Sequence, residues 1–143
     1  MAHPIPGAAI TQAFGVIRPD LYPIAPHRHE GVDFRCAIGT PVHACANGLV
    51  MAIGSPWGPA FGHDSPLIRH KVIVNGQPVL YYVIYAHMSH CDVVPGQVVV
   101  KGQPIGKSGA EGHVTGPHLH LEAQLGRLWR RGGGINPVHL LNA

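Results

Sequence analysis

The stretch HKVIVNGQPVLYYVIYAHM, residues 70–88, sets two runs of β-branched, aromatic and aliphatic residues on either side of Asn75-Gly76. Asn-Gly tolerates the positive backbone angles of a two-residue turn, so the pattern reads as a β-hairpin. The following Gln77-Pro78 leaves a longer connecting loop open as an alternative. Working outward, GLVMAIG (Gly48 to Gly54) and HLHLEAQL (His118 to Leu125) carry the same strand signature. No window shows helical periodicity. The expected fold is therefore all-β, a mainly antiparallel sheet or β-roll in a single domain over residues 1–143. Two loops rich in Pro and Gly, residues 17–30 and 55–68, are expected to wall a groove that serves as the active site.

Composition agrees with this. Gly 19 and Pro 14 suit many tight turns, and 45% hydrophobic against 12% charged residues excludes a disordered polyelectrolyte. A net charge of +3 suits an anionic partner without choosing one. RLWRRGGG, residues 127–134, is the one basic cluster and reads as a solvated turn, so no nucleic-acid partner is expected. No apolar run approaches the ~20 residues of a membrane span. Cys36, Cys45 and Cys91 lack the C-x-x-C spacing of a zinc knuckle and read as small buried thiols, with a Cys36–Cys45 bridge as the alternative.

VVPGQVVVKGQPIGKSG, residues 93–109, has the glycine spacing of half a lipoyl-type carrier domain. It fits any β-roll equally well, and Lys101 lies inside the repeat rather than at a hairpin tip.

The unusual count is His 12. HRHEGVDF, residues 27–34, looks at first like a damaged His-Glu-x-x-His zinc helix. Gly31 and Val32 are weak helix formers, Pro26 lies just upstream and a strand-like VDF follows. His29 and Asp33 can still meet where a loop enters a strand, with Gly31 permitting the turn. In TGPHLHLE, residues 115–122, strand alternation places His118 and His120 on one face and Leu119 and Leu121 on the other. The same rule puts Tyr85 and His87 of IYAHMSH on a common face. Each piece by itself more often means an ordinary surface or half-buried histidine. The other eight histidines read as structural or solvated, His27 being one substitute ligand.

Taken in order, HEGVDF, GTPVHA, GLV, YAHMS, the glycine-rich segment and TGPHLHLE resemble the lysostaphin-type zinc endopeptidases that cut peptidoglycan. The resemblance runs from about His29 to Pro137, and departs from the usual pattern in the Pro- and Gly-rich segment 55–68. It implies one Zn2+ held by His29, Asp33 and His120, with a fourth position open as a catalytic zinc requires. It also implies catalytic roles for His118 and His87, one as proton carrier and the other as oxyanion donor, in either assignment. Tyr22 is a further candidate oxyanion donor, and Glu30 becomes a bystander.

The implied function is zinc-dependent hydrolysis of peptide bonds in peptidoglycan stem peptides or cross-bridges. Pentaglycine bridges and D-Ala–diaminopimelate links both stay open as the bond cut. The alternatives are an inactive relative that binds peptidoglycan or regulates a hydrolase, and a virion structural component. The N-terminus shows no export signal. The expectation is a monomer made in the cytoplasm that acts on the bacterial wall, with a phage lysin and an excised catalytic domain as two fitting contexts.

Overall fold

The computed structural model describes residues 1–18, 20–22, 28–54, 59–112, 114–126 and 133–141. His27, His113 and most of the basic 127–134 cluster lie outside the described residues, as do parts of both long loops. The strands are β1 (Ile10–Gln12), β2 (Val32–Arg35), β3 (Pro41–His43), β4 (Gly48–Ile53), β5 (Pro66–Val74), β6 (Gln77–Ala86), β7 (His90–Cys91), β8 (Val98–Val99), β9 (Pro104–Lys107), β10 (His118–Leu125) and β11 (Gly134–Ile135). A short helix, α1 (Val138–Leu141), follows them.

The all-β expectation holds, and every strand pairing is antiparallel. The large sheet runs β1-β2-β10-β6-β5-β4-β8, with β11 also on β10, and a small sheet runs β3-β9-β7.

The hairpin closes in two residues. Val74 pairs with Gln77 and Ile73 with Pro78, so Gln77-Pro78 belongs to the strand and does not lengthen the loop. Asn75 and Gly76 both take positive φ, 49° and 76°, the conformation a tight hairpin turn demands. β5 also begins earlier than expected: Pro66, Leu67 and Ile68 are strand, paired to β4, which shortens the second loop. Lys101 is exposed in a turn between β8 and β9. Those two strands pair in different sheets, so this is no carrier-type hairpin tip.

Alternation divides the large sheet into two faces. Val32, Phe34, Leu119, Leu121, Val83, Tyr85 and Ile68 share one buried cluster with Val42 and Ile105 of the small sheet. Full burial of each such side chain is worth about 1.5–3 kcal/mol. Slipping β10 by one residue would expose Leu119 and Leu121 together, so the register is firmly held. Asp33, His118 and His120 consequently face the other way, beside a smaller apolar cluster of Leu67, Tyr82, Ile84 and Ala86.

Tyr85 does not share the face of His87. Its side chain is fully buried in the core, where its hydroxyl donates to Nε2 of His70 at 2.7 Å and accepts from the Cys45 N–H at 2.9 Å. β6 ends at Ala86, and His87 has φ 65°, in the left-handed region. That angle breaks the alternation and turns the imidazole to the site. The three cysteines are free, so no Cys36–Cys45 bridge exists.

Burial pushes His70 down to about 4, against a partial pull upward from backbone hydrogen bonds. The folded value lies below the unfolded one of about 6.5, so only the unfolded chain takes the proton between them. His70 should therefore cost roughly 3 kcal/mol of stability as pH falls from about 6.5 to 4. The difference in pH dependence between wild type and His70→Gln, by denaturant unfolding with a chelator present over that range, measures the loss. NMR should find the His70 ring neutral until about pH 4, and a ring that titrates near 6.5 in the folded protein contradicts the argument.

Candidate metal centre

His29 enters the site from a loop whose backbone is pinned on both sides. Its N–H donates to Val16 O at 2.8 Å, and its carbonyl accepts from the Gly15 N–H at 2.8 Å. The imidazole is set by Nδ1–H donating to Ala13 O at 3.0 Å, which leaves the Nε2 lone pair facing inward. Gly31 serves differently from the expectation, because its φ is not positive. A Cβ there would lie 2.3 Å from Leu121 O and 2.9 Å from His120 Cε1. Glycine is needed because the chain passes so close to β10.

Asp33 lies on β2 directly across from His120 on β10. His29 Nε2 is 3.1 Å from Asp33 Oδ1 and 3.1 Å from His120 Nδ1, and the latter two are 2.7 Å apart. His120 presents Nδ1 because Nε2–H donates to Glu122 Oε1 at 3.0 Å. Two imidazole lone pairs and a carboxylate oxygen thus converge on one point. A tetrahedral zinc with bonds of about 2.0–2.1 Å wants its donors about 3.3 Å apart, so a small expansion of this triangle accepts the ion. His29, Asp33 and His120 are all sparsely exposed, and among the described residues they form a compact three-donor group.

Electrostatics express the same convergence. Burial alone would raise Asp33, but protons carried on His120 Nδ1 and His29 Nε2 in the absence of metal are donated to its carboxylate and hold it well below the usual range. Burial alone would lower His120, yet its bonds to Asp33 and Glu122 push it up to about 9. This arrangement attracts a cation, whether proton or metal.

Two further imidazoles flank the group. His87 Nδ1–H donates to Glu111 O at 2.6 Å, and His118 Nδ1–H donates to Gly116 O at 2.8 Å. Each is thereby left with Nε2 directed away from the backbone. The rings meet edge to face at 4.9 Å, and His118 Nε2 lies 3.5 Å from Asp33 Oδ1. Burial, then the positive charge of His120 and His118, pushes His87 down to about 3, so it is a neutral base at neutral pH.

The Tyr22 ring stacks on His29 at 5.6 Å, with its hydroxyl donating to Gln12 Oε1 at 2.5 Å. Glu30 stays outside the group, with its carboxylate paired to Arg28 Nε at 3.1 Å. Next to the donors lies a groove of about 340 Å³, lined by Asp33, His118, Gln12, Leu21, Arg35 and residues 115–117. Glu122 escaped the sequence reading, although it continues the alternation that places His118 and His120.

A three-donor centre beside a groove, with two further imidazoles flanking it, is the arrangement that a metal-dependent hydrolase uses. The chain belongs to peptidase family M23, whose profile matches residues 27–137 and whose members are zinc-dependent. It is 40% identical to the peptidoglycan DD-endopeptidase ShyA of Vibrio cholerae over 99 residues, 69% of this chain and 20% of that protein. The chain spans about a fifth of the length of the curated relatives it matches. The catalytic domain of the antimicrobial peptidase lysostaphin from Staphylococcus simulans superposes with TM-score 0.78 at 29% identity, covering 97% of this chain and 96% of that one. A zinc-containing peptidase from Vibrio cholerae gives TM-score 0.72 at 30% identity, covering 94% of this chain and 37% of that one.

Proposed function

We propose that this chain hydrolyses peptide bonds in the stem peptides or cross-bridges of bacterial peptidoglycan, with one zinc held by His29, Asp33 and His120. The observation that carries the reading is the convergence of three lone pairs beside two further imidazoles. ShyA, by its name, acts on peptidoglycan, and that substrate is carried over to this chain as part of the proposal.

When bound, zinc supplies Lewis acidity and eases the loss of a proton from water near neutral pH. The chain supplies the rest. His87, neutral and anchored by Glu111 O, offers Nε2 to take the water's proton. His118, across the same opening, offers Nε2–H to the developing oxyanion or the leaving nitrogen when it is protonated. Glu122 keeps the proton of His120 on Nε2 and so holds Nδ1 toward the metal. Tyr22 stays in the scheme as an oxyanion donor, which requires its hydroxyl to turn from Gln12. The partner is the wall polymer, and the protein is taken as a monomer. Among the described residues no helix is long and apolar enough to cross a membrane.

An inactive wall-binding relative or a virion plug would have no need of the complete donor set and both flanking histidines. Purified protein incubated with bacterial sacculi should release soluble muropeptides, lose that activity to a chelator and regain it on adding zinc. Binding without release, across sacculi of several chemotypes, would favour the inactive reading.

A further inference from the structure

The groove beside the donor group contains one feature that metal binding and proton transfer leave unused. Arg35 ends β2 and pairs across the sheet with His118, as Asp33 pairs with His120. Residues two apart on a strand share a face, so Arg35, Asp33, His118 and His120 form a square on the site side of the sheet. Arg35 lines the same groove as Asp33 and His118, and its side chain is exposed there. Among the described residues its guanidinium makes no hydrogen bond or ion pair. The acid that lines the groove among the described residues, Asp33, is engaged with the imidazoles. A permanently charged fork with five donors is thus held, without a partner of its own, one residue pair along from the reacting position.

We propose that Arg35 makes this groove a carboxylate subsite, so that the enzyme prefers peptides carrying a free carboxylate close to the scissile bond. The inference rests on the endopeptidase reading above and narrows its substrate. A guanidinium meets a carboxylate through two parallel hydrogen bonds, stronger and more directional than those to a neutral amide. A D-Ala–diaminopimelate cross-link carries such a group on the carbon bonded to the scissile nitrogen. A pentaglycine bridge has none along its length. Arg35 therefore favours the diaminopimelate cross-link among the bonds that the sequence leaves open. The carboxylate at the C-terminal D-Ala of a stem peptide offers the same chemistry from a second source.

The test uses the zinc-loaded protein and three synthetic cross-linked muropeptides. One has all carboxylates free. A second has the diaminopimelate carboxylate beside the scissile nitrogen as a carboxamide, and a third has the C-terminal D-Ala carboxylate as a carboxamide. Wild type should cleave the free peptide with kcat/KM about 10- to 100-fold above one of the two amides, and the amide that suffers identifies the source. In Arg35→Gln that ratio should collapse toward one with zinc content unchanged, and Arg35→Lys should restore part of it. Equal cleavage of all three peptides by wild type overturns the subsite. So does an Arg35→Gln enzyme that keeps the discrimination, slows equally on every peptide, or loses its zinc. Cleavage of none of the three, by zinc-loaded wild type that still releases muropeptides from sacculi, overturns the subsite alone. No release from sacculi of any chemotype removes the endopeptidase reading, and the subsite with it.

Discussion

His120→Ala should leave the protein folded but unable to keep its zinc through dialysis against a chelator, with turnover falling to background. The imidazole supplies one of three protein donors, and its Nδ1 sits 2.7 Å from Asp33 Oδ1. Losing one of three donors should weaken zinc affinity by roughly 10²–10³-fold or more, a larger loss than the roughly 10–100-fold of a supporting hydrogen bond. His29→Ala and Asp33→Ala should behave alike. Glu122→Ala should do less, weakening zinc by about 10–100-fold, because it frees the His120 ring without removing a donor. Metal analysis after dialysis, read beside chelator competition, separates the two classes. Zinc retained in His120→Ala but lost in His118→Ala would reverse the assignment of ligands. Glu30→Ala should leave both zinc and turnover in place, since its carboxylate is held by Arg28. Lost turnover in that variant, with zinc retained, would restore Glu30 as a general base.

The second large effect separates chemistry from metal binding. His118→Ala and His87→Asn should each keep stoichiometric zinc and lower kcat by about 10²–10⁴-fold. Asparagine is chosen at position 87 because the backbone there has φ 65°, which asparagine tolerates better than alanine. Since His87 is pushed down to about 3, its neutral form persists across the working range. Protonation of His87 should therefore not produce an acid limb of the rate profile near pH ~6. A profile whose acid limb follows His87 would show that its burial is relieved when substrate binds.

The parts of this protein legible in its sequence are those set by local periodicity. Strand alternation alone put His118 and His120 on one face and the leucines in the core, because successive side chains must point to opposite sides of a pleat. Asn75-Gly76 named its own turn for an equally local reason, the tolerance of positive φ. Order and spacing of the short motifs then marked the family. Tertiary structure alone decided the rest. His29 and Asp33 meet His120 across separations of 91 and 87 residues, and their lone pairs converge through the β2–β10 pairing and the contacts of the His29 loop with residues 13–16. The left-handed turn at His87 ended the alternation that would have kept its ring on the core face with Tyr85 and His70, and turned it to the site instead. Gly31 was legible as a glycine but not as a space, since the atoms that exclude a Cβ belong to a strand ninety residues away. Glu122 and Arg35 lay in plain view on alternating strands. Their contributions depend on which nitrogen of His120 faces the metal and which strand end borders the groove, and both are set by contacts between segments that no local pattern encodes.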